Sequence, residues 1–150
     1  MASTYTNLLY HIVFSTKNRE ALIVPRLREE LYPYIGGIIR GEGGTLLEIG
    51  GMPDHIHVVA KFKADPSVAL MIKTFKAKSS KWVNERPGRK GRFAWQTGYG
   101  AFTVSASQLA KVRQYVRDQE EHHRVVSFKE EFITLLKKHG VEYDERYLWD

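Results

Sequence analysis

The sequence predicts an α+β fold. An antiparallel sheet is built in the order strand, helix, strand, strand, helix, strand, and more helices follow. Three observations predict it. The apolar period switches repeatedly between two and 3.6 residues. Glycine and proline clusters mark the switches. Only a short Gly-Gly-Met-Pro-Asp segment separates the second and third strands, so they are most simply a hairpin. At 150 residues, the chain is one domain's worth, and residues 1–150 are read as a single domain. A chain of this size buries roughly two-thirds of its unfolded surface and needs no covalent staple.

Residues 5–15 form the first strand, with Leu8, Tyr10, Ile12 and Phe14 on one face and Leu9, His11 and Val13 on the other. Pro25 suits a helix start. Leu27, Leu31, Ile35 and Ile38 follow helical spacing, Pro33 is expected to interrupt and kink that helix, and Gly41, Gly43 and Gly44 end it. Residues 45–49 and 55–63 are the hairpin strands. Asp65 and Pro66 are expected to open the second helix as cap and first residue. Val68, Met71, Ile72, Phe75 and Trp82 form its apolar face. Part of 93–104 is the fourth strand. Ser105 with Gln108, and Ser127 with Glu130, read as capping boxes for two C-terminal helices, the first running to about His122 and the second ending at Gly140. The aromatic tail, residues 141–150, is expected to dock on the body. The first six elements match a ferredoxin-like βαββαβ plan. Its two covering helices are expected to leave one sheet face open or covered by a partner.

Composition narrows the function. Hydrophobic residues make up 43% and charged residues 27%, as in an ordinary globular domain rather than a disordered chain. The absence of cysteine excludes disulfide scaffolds, cysteine zinc fingers, iron–sulfur sites and thiol nucleophiles. No apolar run approaches the roughly 18 residues of a membrane span, and the segment from Met1 to Tyr5 does not read as a signal peptide. A cytoplasmic location with no membrane partner is expected. Net charge is +6, which points to a polyanionic partner. Residues 73–92 hold eight basic side chains and one acid. Lys73, Lys76, Lys78, Lys81, Arg86, Arg89, Lys90 and Arg92 form a candidate phosphate-binding footprint. Trp82, Phe93 and Trp95 are candidates for stacking on unpaired bases.

Two constellations carry chemistry. His55-Ile56-His57 lies on a strand, where residues i and i+2 point the same way. Two same-side imidazoles make a bidentate metal platform, although two histidines without a ligand have the same spacing. Tyr115 and Gln119 are one turn apart on the expected penultimate helix. A tyrosine hydroxyl serves as a nucleophile once its proton is removed, and a glutamine carbonyl is an oxygen donor for a hard cation. A packed tyrosine beside a solvated glutamine has the same pattern. The adjacent His122 and His123 read as a helix-end feature that favours the dipole. The Gly98-Tyr99-Gly100-Ala101-Phe102 run has a partial likeness to the aromatic strand of an RNA-recognition motif.

Taken together, Tyr10-His11-Ile12-Val13-Phe14-Ser15-Thr16-Lys17, Gly51-Met52-Pro53-Asp54-His55-Ile56-His57, Tyr115 with Gln119, Glu121-His122-His123 and Tyr143-Asp144-Glu145-Arg146-Tyr147-Leu148 resemble the HUH-class single-tyrosine transposases. These are the small insertion-sequence and REP-associated enzymes, and the resemblance covers nearly the whole chain. It implies a ferredoxin-like fold and a homodimer. It implies one Mg²⁺ or Mn²⁺ held by His55, His57 and Gln119. It implies that Tyr115 attacks single-stranded DNA, leaving a 5′-phosphotyrosine link and a free 3′-hydroxyl, with the tyrosine often reaching the partner's metal site. Hairpins at element ends are the implied recognition target, and residues 73–92 are the candidate contact by charge. The alternative is a domesticated or non-catalytic single-strand nucleic-acid-binding protein of the same fold.

Overall fold

The computed structural model describes residues 3–150. Met1 and Ala2, the start of the segment that does not read as a signal peptide, lie outside the described residues. Four strands, β1 (Leu8–Ser15), β2 (Thr45–Met52), β3 (His55–Phe62) and β4 (Gly100–Thr103), form one sheet in the order β2-β3-β1-β4. Every pairing is antiparallel. Two long helices, α1 (Pro25–Gly41) and α2 (Val68–Asn84), complete the βαββαβ unit, and α3 (Leu109–Arg117), α4 (Gln119–His122) and α5 (Phe128–Lys138) follow it. Among the described residues no helix is long and apolar enough to cross a membrane.

The alternation along β1 divides the molecule. Ile12 and Phe14 join Ile56, Val58, Ala60 and Phe62 on one face. This face packs on Leu27, Leu31, Ile35 and Ile39 of α1 and on Met71, Ile72, Phe75 and Val83 of α2. Burying each such side chain contributes about 1.5–3 kcal/mol, so this layer supplies most of the stability. Val13 lies on the opposite face with Phe102, where Phe128, Phe132, Leu135 and Leu136 of α5 cover it. The sheet face expected to lie open is therefore closed by this chain's own C-terminal helices. Tyr143, Leu148 and Trp149 of the tail pack on the same cluster, and the Asp150 main-chain oxygen accepts from Gln96 Nε2 and Gly98 N.

Local signals fared unevenly. Ser127 caps α5 by accepting from the Glu130 N–H at 3.2 Å, as its motif predicts. The cap of α2 is Ser67, whose Oγ accepts from the Leu70 N–H, and not Asp65. Pro33 does not interrupt α1. It stands exposed on an uninterrupted 17-residue helix, where water can take up the carbonyl that its missing N–H leaves free. The Ser105–Gln108 capping box does not form. Ser105 Oγ pairs with Ser107 Oγ instead, and a single 3₁₀ turn, Ala106–Gln108, precedes α3.

Candidate active site

The site is assembled on the sheet face under α3–α5. His55 and His57 project from β3, and His11 projects from the adjacent β1. Gly50 on β2 lets α3 descend onto them, because a Cβ there would collide with the Val116 main-chain carbonyl. The expected single helix to His122 is broken. Asp118 adopts φ −93°, ψ 23°, ending α3 at Arg117, and α4 restarts at Gln119. Tyr115 and Gln119 therefore sit on two helical segments, yet both turn toward the histidines. His55 Nε2 is 3.0 Å from Gln119 Oε1, and the Tyr115 ring centroid is 5.7 Å from that of His57.

At the centre is a residue that sequence reasoning missed. Glu131 of α5 is 2% exposed. Its Oε1 lies 2.8 Å from His57 Nε2 and 3.1 Å from His123 Nε2. Its Oε2 accepts from Gln119 Nε2 at 3.1 Å and from the Tyr115 hydroxyl. Outer partners hold the ring nitrogens that face away. Asp54 Oδ1 is 2.7 Å from His55 Nδ1, and His11 Nε2 is 2.8 Å from His57 Nδ1. Such partners fix the orientation of a ring and the position of its proton.

The electrostatics follow from burial and pairing. Burial keeps the His57 imidazole neutral, with its pKa lowered to about 4, and burial beside His57 lowers that of His11 to about 3. Burial also opposes charge on His55, but hydrogen bonds to Asp54 and Glu131 overcome it and raise its pKa to about 9. Burial pushes the Glu131 carboxyl up, and the hydrogen bonds from His123, His55 and His57 outweigh it, holding the group ionised. Burial, and then the Glu131 charge, lift the Tyr115 phenol well above its ordinary range.

Ligand-atom positions of His55, His57, His123 and Glu131 lie within 4.8 Å of one another. Three imidazoles and a carboxylate, with the Gln119 carbonyl alongside, form a donor set that fits a divalent cation. The sequence marks His123 as a helix-end feature and within the Glu121-His122-His123 run, without a ligand role. Its side chain is 5% exposed, and its ring packs edge-on against His55 with centroids 4.6 Å apart. His122 lies 3.4 Å from the Tyr115 hydroxyl. One signal could have found Glu131. It falls on the apolar stripe of α5 with Phe128, Phe132 and Leu135, where a solvated acid does not belong.

The basic run lies elsewhere. α2 covers the opposite sheet face, so Lys73, Lys76, Lys78 and Lys81 are separated from Tyr115 by the sheet. Lys76 Nζ donates to the carbonyls of Gln96, Thr97 and Gly98, and burial lowers its pKa to about 8. Lys78 pairs with Glu42, Lys81 with Glu85 and Arg86 with Glu30. Arg89 reaches the Gly91 carbonyl. Lys73, Lys90 and Arg92 are exposed. The expected stacking platform is not available. Phe93 and Trp95 are buried core residues, and Trp82 stacks on Tyr34. The segment likened to an RNA-recognition motif is the short edge strand β4 and its approach.

Comparison with known proteins agrees with the geometry. The family described as "Transposase IS200 like" matches residues 4–119. The transposase for insertion sequence element IS200 of Salmonella typhimurium is 28% identical over 130 residues, covering 83% of this chain and 85% of that protein. The ISDra2 transposase TnpA of Deinococcus radiodurans is 22% identical, covering 76% and 85%. Among solved structures, a Deinococcus radiodurans chain described as a transposase superposes with a TM-score of 0.64 at 23% identity, covering 79% of this chain and 95% of that one. A REP-associated tyrosine transposase bound to a REP hairpin superposes with a TM-score of 0.63 at 12% identity, covering 84% and 74%. The chain is a member of the IS200-like transposase family.

Proposed function

We infer that this transposase cuts and rejoins single-stranded DNA through a covalent link to Tyr115. The observation that carries the reading is the position of the Tyr115 hydroxyl, hydrogen-bonded to Glu131 within the same buried cluster as His55, His57 and Gln119. A hydrolase needs no tyrosine beside its cation donors, whereas a strand transferase does, because the tyrosyl ester conserves the bond for rejoining.

In this reading Tyr115 Oη attacks a backbone phosphorus. The bond to the 3′-oxygen breaks, leaving a 3′-hydroxyl and a 5′-phosphate on the tyrosine. Glu131 Oε2 accepts from the phenol and orients it, and the phenolic proton leaves to solvent as the tyrosyl ester forms. An incoming 3′-hydroxyl later attacks the phosphotyrosine and releases Tyr115. His55, His57 and Gln119 would hold one divalent cation, with Glu131 and His123 in reach of it. Such an ion neutralises the non-bridging phosphate oxygens and orients the phosphate. Imidazole donors favour a first-row ion such as Mn²⁺ over Mg²⁺, which prefers oxygen ligands. His11 and Asp54 keep the two imidazoles turned inward.

Tyr115 meets His57 and Glu131 of its own chain, which supports a site complete within one chain. The homodimer is proposed through an edge strand, β2 or β4, each paired on one side only and open to augmentation. Lys73, Lys90 and Arg92 are proposed to contact duplex phosphates of a hairpin on the far side of the sheet.

The test uses 5′- and 3′-labelled single strands covering the DNA that flanks the gene, with and without Mn²⁺ or Mg²⁺. A denaturing gel should show a cation-dependent protein–DNA adduct that Tyr115→Phe abolishes. Cleavage that persists in Tyr115→Phe contradicts the reading.

A further inference from the structure

A cavity of about 660 Å³ opens between α3, α5 and the segment joining β4 to α3. Its floor is the reactive end of the site, with Tyr115, Glu131 and His11. Its walls are aliphatic, formed chiefly by Val104, Val112, Val126 and Leu135. Lys111 and Lys138 stand exposed among its lining residues, and among the described residues neither forms an ion pair or a hydrogen bond. The volume is within the roughly 300–1,000 Å³ of small-ligand pockets.

We propose that this cavity is a nucleotide pocket: it takes one unstacked base next to the scissile phosphate between Val112 and Leu135, and Lys111 and Lys138 hold the adjoining backbone phosphates. The proposal rests on the strand-transfer reading, since Tyr115 on the floor places any reacting phosphate at the cavity. The chemistry of the walls matches such an occupant. A base removed from its stack needs an apolar slot, and the phosphates on either side need cations, which the two unpaired lysines supply. Ser105 and Gln108, also lining the cavity, offer hydrogen bonds to a base edge. The assignment locates single-strand binding on α3 and α5, away from the basic run of α2.

The experiment is an abasic scan. Fluorescein-labelled single strands from the gene's flank carry one tetrahydrofuran abasic residue at successive positions. Their affinity for the full chain is read by anisotropy without divalent cation, and the adduct assay on the same strands locates the cut. The pocket predicts one position, immediately beside the cut, where loss of the base weakens binding about tenfold. Val112→Trp, which fills the cavity, should weaken binding of the intact strand by a similar factor and add nothing on the strand that is abasic there. Lys138→Ala, a surface change, should weaken both strands and reduce the salt dependence. The pocket is overturned if Val112→Trp weakens intact and abasic strands equally, if no single position is sensitive, or if the sensitive position lies away from the cut. If the base-specific pattern appears in binding without an adduct under any cation, the strand-transfer reading falls and so does the placement of this base beside a cut.

Discussion

The two faces of the sheet are built from the same strands and do opposite things. Under α1 and α2 the layer is aliphatic and aromatic. Under α3–α5, three buried imidazoles from the strands, a buried carboxylate and a buried carboxamide share the layer with Val13 and Phe102. Concentrating polar groups where an apolar core would be more stable is expected of a site and not of a scaffold. Single substitutions should separate the two roles.

The largest effect on stability belongs to the first face. Phe75→Ala should cost about 3–5 kcal/mol by removing a fully buried ring, measured by urea unfolding. Adduct formation per folded molecule should be unchanged, and a selective loss of chemistry would blur the distinction. On the second face Glu131→Gln should cost less, about 2 kcal/mol. It should lower Mn²⁺ affinity at least tenfold by calorimetry; an unchanged affinity would remove Glu131 from the donor set.

Acid and base should also act mainly on the second face. His11 and His57 have pKa values lowered to about 3 and about 4, below the unfolded value of 6.5. As pH falls from 6.5 toward 4, the unfolded chain binds protons that the folded chain refuses, so stability falls. His55 is raised to about 9. Its contribution is complete below pH 6.5 and is lost as pH rises through about 9. Metal-free urea midpoints at pH 4.5, 7 and 9.5 should therefore be highest near neutrality, and a flat profile would contradict the pairing described. The smallest effects concern the basic helix. Lys76→Met should cost about 1–2 kcal/mol by freeing three carbonyls. Lys73→Ala should leave stability within about 0.5 kcal/mol and reduce the salt slope of hairpin binding by about 0.9 if it contacts one duplex phosphate.

The first face was largely legible in the sequence, because its strands and helices carry their own periodicity. The strand histidines and Tyr115 were legible because spacing and resemblance both mark them. Glu131 was not, since Ser127-x-x-Glu130 drew attention to the capping of α5 and its burial depends on how α5 crosses β3. Strand alternation puts His11 on a sheet face near the site but gives it no role, and only the register sets it diagonally beside His57. The break at Asp118 left no local sign, having neither proline nor glycine. The charge of 73–92 was read correctly as composition, but carbonyls and carboxylates occupy much of it in the fold.

The most direct test of the central claim is to digest the protein–DNA adduct with trypsin and nuclease and weigh the peptides. The account predicts a residual nucleotide, linked through its 5′-phosphate, on the Gln114–Arg117 peptide at Tyr115. A nucleotide on a peptide containing Tyr143 or Tyr147, or on no peptide at all, would contradict it.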